Sequence, residues 1–170
     1  MKIIAVGQAR LNSTRCKRKM LRPFANTTLV ELAVKRLGKV KNFDGVYFGA
    51  NEDELLEVAR SGLPSSSIRI RTKEMANTDD MMLSYSWLRD IDFDYCMWIN
   101  SCHGHLKAET LDQAAEAFRG GQYKSMTSAT KRYTWYYNQD GEPVNNKDPL
   151  TQVTSQQSEF LYEVANAFHV

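Results

Sequence analysis

Short apolar runs alternate with amphipathic stretches along most of the chain, and this alternation sets the expected architecture. Lys2 to Gly7 is β-branched and apolar and ends in a glycine, as a strand buried on both faces of a parallel sheet does. Thr28 to Leu37 then carries Leu29, Leu32, Ala33, Arg36 and Leu37 at helical spacing, with Thr27 or Thr28 as N-cap and Gly38 as stop. Gly45 to Ala50 is the next strand, and Asn51-Glu52-Asp53 leads into a helix over Leu55 to Arg60 whose acidic first turn suits an N-terminus. Ile68-Arg69-Ile70 alternates like a short strand, and Thr78-Asp79-Asp80 opens an amphipathic stretch through Met82, Tyr85, Ser86 and Leu88. Tyr95 to Ile99 predicts another buried strand. Lys107 to Phe118 predicts a helix with Leu111, Ala114, Ala115 and Phe118 on one stripe.

Strands alternating with helices predict a doubly wound, mostly parallel α/β sheet. From Ser125 the pattern becomes rich in Ser, Thr and Tyr, with Asp140-Gly141 as a hairpin turn between Trp135-Tyr136 and Pro143-Val144, so a small antiparallel excursion is expected near the C-terminal end. Gln156 to Ser158 reads as a turn, and Glu159 to Val170 as a helix followed by a strand. Repeats and low-complexity tracts are not evident in the sequence, which disfavours solenoids.

Composition narrows the class. A chain of 170 residues, 42% hydrophobic and 25% charged, fits one globular domain over residues 1–170 with a continuous core. The net charge of +2 is too small to imply a nucleic-acid or membrane-surface protein from bulk electrostatics, so local placement of charge matters more. Cys16, Cys96 and Cys102 show no C-x-x-C pairing and read as reduced thiols rather than a disulfide framework or structural zinc site. The first residues lack a signal peptide's length and cleavage pattern, and no apolar run is long enough to span a bilayer, so a cytoplasmic protein is expected.

Charge is concentrated directly after the first strand. Arg10, Arg15, Lys17, Arg18, Lys19 and Arg22 crowd one loop, with Asn12, Ser13 and Thr14 between them. Open α/β sheets bind ligands outside the carboxyl ends of their strands, where this loop falls. Backbone amides and short hydroxyls approach phosphate oxygens closely, and Arg and Lys neutralise charge that builds during displacement at a triphosphate. Position and charge together predict a polyphosphate cradle over Ala9 to Leu21. On charge alone, a solvated basic loop or a nucleic-acid patch reads equally well. The loop is neither a Walker motif nor a G-x-G-x-x-G dinucleotide turn.

These residues resemble the sugar cytidylyltransferases, above all the acylneuraminate (CMP-sialic acid) cytidylyltransferases, with the Kdo and spore-coat polysaccharide enzymes as relatives. Ala9-Arg10-Leu11-Asn12-Ser13-Thr14-Arg15 followed by Lys19-Met20-Leu21 is similar to the family's A-R-x-x-S-x-R-L-P-x-K-x-L. Phe48-Gly49-Ala50-Asn51 resembles the second strand and its loop, and Arg71-Thr72-Lys73-Glu74-Met75-Ala76 looks like the R-p-x-E-L-A segment. Asn100 to Leu106 occupies the place of the substrate loop at the sheet edge, and Glu163 with Asn166-Ala167-Phe168 is similar to the E-t-N-A-f-y-i strand. The family transfers CMP from CTP to a sugar hydroxyl, releasing pyrophosphate with Mg²⁺ assistance. The resemblance thus implies that Arg10, Asn12, Ser13, Arg15 and Lys19 hold the triphosphate, with Lys19, Arg10 and Arg15 catalytic. It also implies that Ala9, Ala50 and Arg71 line the cytidine pocket and that Asn100 faces an acidic, sialic-acid-like or Kdo-like sugar. The implied partners are CTP and that sugar, without nucleic acid or membrane, in a homodimer formed near Trp135 to Ser158.

The sequence departs from the family at two places. Leu-Pro-Gly between the Arg and Lys is here Cys16-Lys17-Arg18. Cys102 stands where the Kdo branch has a metal-binding aspartate, and the sialic branch's acidic segment would fall beyond Val170, so the chain is expected to lack the family's C-terminal end. The protein ligands of Mg²⁺ stay unassigned, because Cys102, His103 and His105 are poor ligands for a hard cation and form no four-ligand zinc spacing. A nucleotide-binding protein without catalysis is the alternative. Asp79-Asp80 reads as a charge pair at a helix N-terminus, and Asp92 and Asp94 as flanks of a turn. The aromatics of Tyr133 to Tyr137 read as packing or a dimer contact ahead of a base-stacking platform.

Overall fold

The computed structural model describes residues 1–145 and 154–170. Its elements are strands β1 (Ile3–Gln8), β2 (Pro23–Phe24), β3 (Thr27–Thr28), β4 (Gly45–Ala50), β5 (Ile68–Ile70), β6 (Tyr95–Asn100), β7 (Thr127–Arg132) and β8 (Leu161–His169), with helices α1 (Leu29–Leu37), α2 (Asp53–Gly62), α3 (Lys73–Asn77), α4 (Met81–Ser84) and α5 (Ala108–Gly120). The main sheet runs in the order β5-β4-β1-β6-β8-β7. β5, β4, β1 and β6 are mutually parallel, and β8 pairs antiparallel with β6. The expected α/β architecture is present, with β1 at the middle and its first five residues buried.

Register explains both faces of the sheet. Ala5 pairs with Met97 and Gly7 with Phe48 and Ile99, all directed to the face that packs on Val30, Val34 and Leu37 of α1, Leu55 and Leu56 of α2 and Leu111 of α5. Ile4 and Val6 point the other way, with Tyr47 and Cys96, onto Trp87 and Leu88. Among the described residues, Met75 of α3, Trp87 and Leu88 of the 3₁₀ turn Ser86–Leu88, and the flanking Tyr85, Ile91 and Phe93 pack on this second face. The amphipathic stretch after Thr78 is therefore broken rather than one helix, with Asp80 capping α4 through its carboxylate to the amides of Met82 and Leu83. α1 is capped as its sequence predicts. Thr28 and Glu31 form a reciprocal capping box, and Gly38 closes the other end.

Contacts divide the chain into two units, Met1–Met126 with Ala167–Val170, and Thr127–Asn166. In the second, Gly141 takes φ of 81° in the turn predicted at Asp140-Gly141, and the amide of Val144 donates to the carbonyl of Tyr136 at 2.8 Å. Asn145 is buried there and ties the amide of Tyr136 to the carbonyls of Thr134 and Glu159. The segment from Glu159 forms no helix. It is extended throughout β8, where Phe160 and Tyr162 meet edge to face and Arg132 pairs with Glu163. Strand pairing outweighs the weak helical pattern there. Part of the expected dimer segment, residues 146–153, lies outside the described residues. No described helix is long and apolar enough to cross a membrane.

Candidate active site

The loop after β1 is held open by partners far away in sequence. The amide of Ala9 donates to the carbonyl of Gly49 at 3.1 Å, extending the β1–β4 ladder by one rung. Arg10 Nη1 donates to the carbonyl of Ala76 at 2.8 Å, and Asn12 Nδ2 to Asn77 Oδ1 at 3.1 Å, so the end of α3 anchors one flank. Glu52, the residue before α2, accepts the amide of Leu11 on its Oε1 at 2.8 Å. The carbonyl of Leu11 in turn accepts the amides of Ser13 at 2.9 Å and Arg18 at 3.3 Å. Leu11 is thus the knot of the loop.

Arg18 explains how the chain turns without the family's glycine. It adopts φ of 54°, the left-handed conformation that a glycine takes without a steric cost, and its guanidinium pairs with Glu54 of α2. A short 3₁₀ turn over Lys19–Leu21 follows, pinned by Met20, which is buried in the main core.

A cavity of about 280 Å³ opens beside this loop, lined by Ala9, Arg10, Ser13, Thr14, Arg15 and Lys19 on the loop side. Gln8, Arg71, Thr78, Ser84, Trp98 and Cys102, with Met20 and Ala76, complete its wall. Arg71 is 3% exposed, and its Nη2 donates to the carbonyl of Met75 at 2.6 Å and to Ser84 Oγ at 3.2 Å. Burial lowers its pKa below the ordinary guanidinium value, the nearby Tyr85 and Glu52 opposing that shift and Arg10 adding to it. Four cationic side chains, Arg10, Arg15, Lys19 and Arg71, line one cavity at the carboxyl end of a parallel strand, which is the arrangement that binds a polyanion.

The sequence profile of the cytidylyltransferase family matches residues 4–169. The chain belongs to the cytidylyltransferase family. Comparison with curated protein sequences returned no match. Among solved structures, a CMP:2-keto-3-deoxy-manno-octonic acid synthetase complexed with CTP superposes with a TM-score of 0.70 at 10% identity, over 99% of this chain and 73% of that one. A cytidylyltransferase from Leptospira borgpetersenii gives 0.61 at 21% identity, over 75% and 54%. A 4-diphosphocytidyl-2C-methyl-D-erythritol synthase from Anaerococcus prevotii gives 0.65 at 13% identity, over 99% and 69%. At these identities the likeness is one of fold.

In this cytidylyltransferase the cavity gathers Ala9, Arg10, Ser13, Arg15, Lys19 and Arg71 from the residues expected in the site. Asn12 lies in an adjoining recess with Leu11, Lys17 and Glu52. Ala50 is fully buried in the core, and Asn100 ends β6 with its Oδ1 accepting the amide of Cys102 at 3.0 Å. The loop that Asn100 opens is fixed from below by Arg36 of α1, 5% exposed, whose guanidinium donates to the carbonyls of Asn100, His103 and Leu106. Among the described residues, no three His, Cys, Asp or Glu side chains gather closely enough to hold a metal ion by themselves; a Mg²⁺ that enters on the triphosphate needs only one or two carboxylates beside the phosphate oxygens. Sequence reasoning missed Gln8, Ser84 and Trp98 in the cavity wall, and Glu52 and Arg36 behind it. Gln8 carried the one available signal, a polar residue closing an apolar strand.

Proposed function

We propose that this cytidylyltransferase transfers CMP from CTP, taken as its magnesium complex, to a hydroxyl of an acidic sugar of the sialic acid or Kdo type, releasing pyrophosphate. The observation that carries the reading is the convergence of Arg10, Arg15 and Lys19 with Ser13 and Thr14 on one wall of the cavity at the end of β1. A neighbour of the same fold is a CMP-sugar synthetase bound to CTP, which supports the choice of nucleotide and acceptor. Another, from Mycobacterium tuberculosis, was solved with manganese at a TM-score of 0.51, which supports a divalent cation entering with the nucleotide. The acceptor oxygen forms a bond to the α-phosphorus as the bridge to the β-phosphate breaks. The cationic wall positions the triphosphate and stabilises charge on the leaving pyrophosphate, and such transfers need little else from a protein.

The same reading includes a cytoplasmic enzyme, where CTP is found, and a homodimer. Support for the dimer comes from the second unit, which leaves Tyr137, Tyr162 and Val164 more than half exposed. Sedimentation showing monomer only at high concentration overturns it. Incubation with CTP, Mg²⁺ and N-acetylneuraminate or Kdo should release pyrophosphate, and Lys19→Ala should lower kcat/KM by roughly 10²-fold, the usual effect of deleting one group that stabilises developing charge. Nucleotide binding without turnover of any acidic sugar would reduce the reading to binding alone, and no CTP binding would end it.

A further inference from the structure

The inward stripe of α1 carries one residue that helix packing does not call for. Arg36 lies beside Ala33 and Leu37 on that stripe, is 5% exposed, and forms no ion pair with any described residue. Burial holds its pKa below the ordinary guanidinium value. A buried charge without a counter-ion costs stability, and an apolar side chain of similar volume would serve the helix as well. The reason for a cation here lies in what its guanidinium binds.

Those partners are backbone carbonyls of the segment that joins β6 to α5. Nη1 donates to the carbonyls of His103 and Leu106, the latter at 3.1 Å, and Nη2 to that of Asn100 at 3.4 Å. The carbonyl of Asn100 also accepts the amide of His103 at 3.2 Å, and that of His103 accepts the amide of Leu106 at 3.3 Å. Two successive turns therefore aim their carbonyls at one point. Dipoles converging in this way repel one another unless a cation sits between them, and the planar fork of a guanidinium reaches several at once. On its other side the segment meets Phe24, edge to face with His105 at 5.9 Å between centroids, and Met20, whose Sδ lies 3.9 Å from Cys102 Sγ.

The segment held in this way is part of the cavity. Cys102 lies in the wall, and Ser101 Oγ donates to the carbonyl of Gln8 at 2.9 Å, tying the segment to the end of β1. The four cations of the cavity come from other elements, Arg10, Arg15 and Lys19 from the loop after β1 and Arg71 from the chain after β5. β6 and its loop contribute Trp98 and Cys102, and no Lys, Arg, Asp or Glu. A triphosphate is drawn to the cationic side. That leaves the β6 side for the second reactant, whose oxygen must reach the α-phosphorus in line with the departing pyrophosphate.

Resting on the transfer reading above, we propose that Arg36 is a positioning residue for the acceptor: it holds residues 100–106 in the shape that seats the acceptor hydroxyl against the nucleotide, while touching neither reactant. Pyrophosphate release by Arg36→Met and Arg36→Lys, with CTP, Mg²⁺ and Kdo or N-acetylneuraminate, is measured beside calorimetric binding of CTP. Arg36→Met should lower kcat/KM for the sugar about tenfold or more, the equivalent of one hydrogen bond lost from the productive geometry, while Kd for CTP stays within about twofold. Arg36→Lys keeps a cation under the same carbonyls but loses the fork, so its loss should be smaller, and it decides the matter alone if thermal unfolding shows the methionine variant unfolded. A purely structural Arg36 would lower Tm and leave the sugar kinetics unmoved. A folded variant with wild-type kcat/KM for the sugar therefore overturns the inference, as does one whose CTP affinity falls as far as its kcat/KM, and in both cases the transfer reading stands. A wild-type protein that releases no pyrophosphate with either sugar overturns both.

Discussion

Glu52 offers the sharpest separation of two opposing effects at the loop. Its Oε1 accepts the amide of Leu11 at 2.8 Å, and Leu11 holds Ser13 and Arg18 in turn, so Glu52→Ala cuts the loop loose at its knot. A hydrogen bond to a charged group contributes about 1.5–3 kcal/mol. If the cut loop then populates its binding conformation only in part, that energy appears as weaker binding, roughly 10- to 100-fold at 1.4 kcal/mol per decade. The substitution also removes a negative charge near a site for an anion and a buried oxygen, Oε2, that has no partner among the described residues. Both of these favour binding or stability and pull the net loss toward the lower end, about tenfold. Glu52→Gln isolates the terms, since it removes the charge but keeps an acceptor for Leu11. Calorimetry with CTP should therefore find Glu52→Gln equal to or tighter than wild type and Glu52→Ala about tenfold weaker. The reasoning fails if a folded Glu52→Ala binds CTP as well as Glu52→Gln does.

Two further predictions concern the scaffold. Gly49→Ala drives a methyl group to 2.8 Å from the Trp87 ring, and overpacking of that kind costs about 1–3 kcal/mol. At about 2–4 °C per kcal/mol for a chain of this size, Tm should fall by roughly 2–12 °C in a thermal scan, and an unchanged Tm refutes the close packing. Asp44 accepts the amide of Ile3 at 2.7 Å and pairs with Arg119 at 2.6 Å, and these two partners, the amide first, hold its pKa below the ordinary aspartate value. A depressed folded pKa gives stability that is present above the ordinary value and lost as pH falls through the folded one. Urea midpoints measured from pH 6 down to pH 2 should thus decline less steeply in Asp44→Asn than in wild type, and identical slopes contradict the assignment.

The alternating sheet and helix pattern was legible because the parallel strands β1, β4 and β6 are short, largely apolar runs that each lead into a turn or a helix. Thr28 and Asp80 accept backbone amides at helix starts as their chemistry predicts, while Gly38 ends α1 in a right-handed conformation. Two segments escaped the pattern for identifiable reasons. Thr78 to Leu88 has helical spacing but covers the sheet as α4 and a 3₁₀ turn, since Trp87 and Leu88 must reach Ile4 and Val6. Glu159 to Val170 carries mixed periodicity, and its conformation is decided by pairing with β6 through Phe168 and His169, a long-range choice that local propensity does not contain.

For the site, the motif located the cations but not what organises them. The bonds that anchor the loop to the rest of the protein come from Ala76 and Asn77 of α3, Glu52 at the start of α2 and Gly49 of β4. The replacement of the family's Leu-Pro-Gly by Cys16-Lys17-Arg18 therefore does not abolish the turn. Arg18 takes the left-handed conformation itself, a cost of roughly 1–2 kcal/mol that its pairing with Glu54 and the amide bond to Leu11 help to offset. A loop fixed by tertiary partners tolerates an unfavourable turn residue, whereas a loop shaped by its own sequence would not. It follows that substitutions at Glu52 or Asn77 should disturb this cradle more than exchanges at Cys16 or Lys17, although only the latter fall inside the motif.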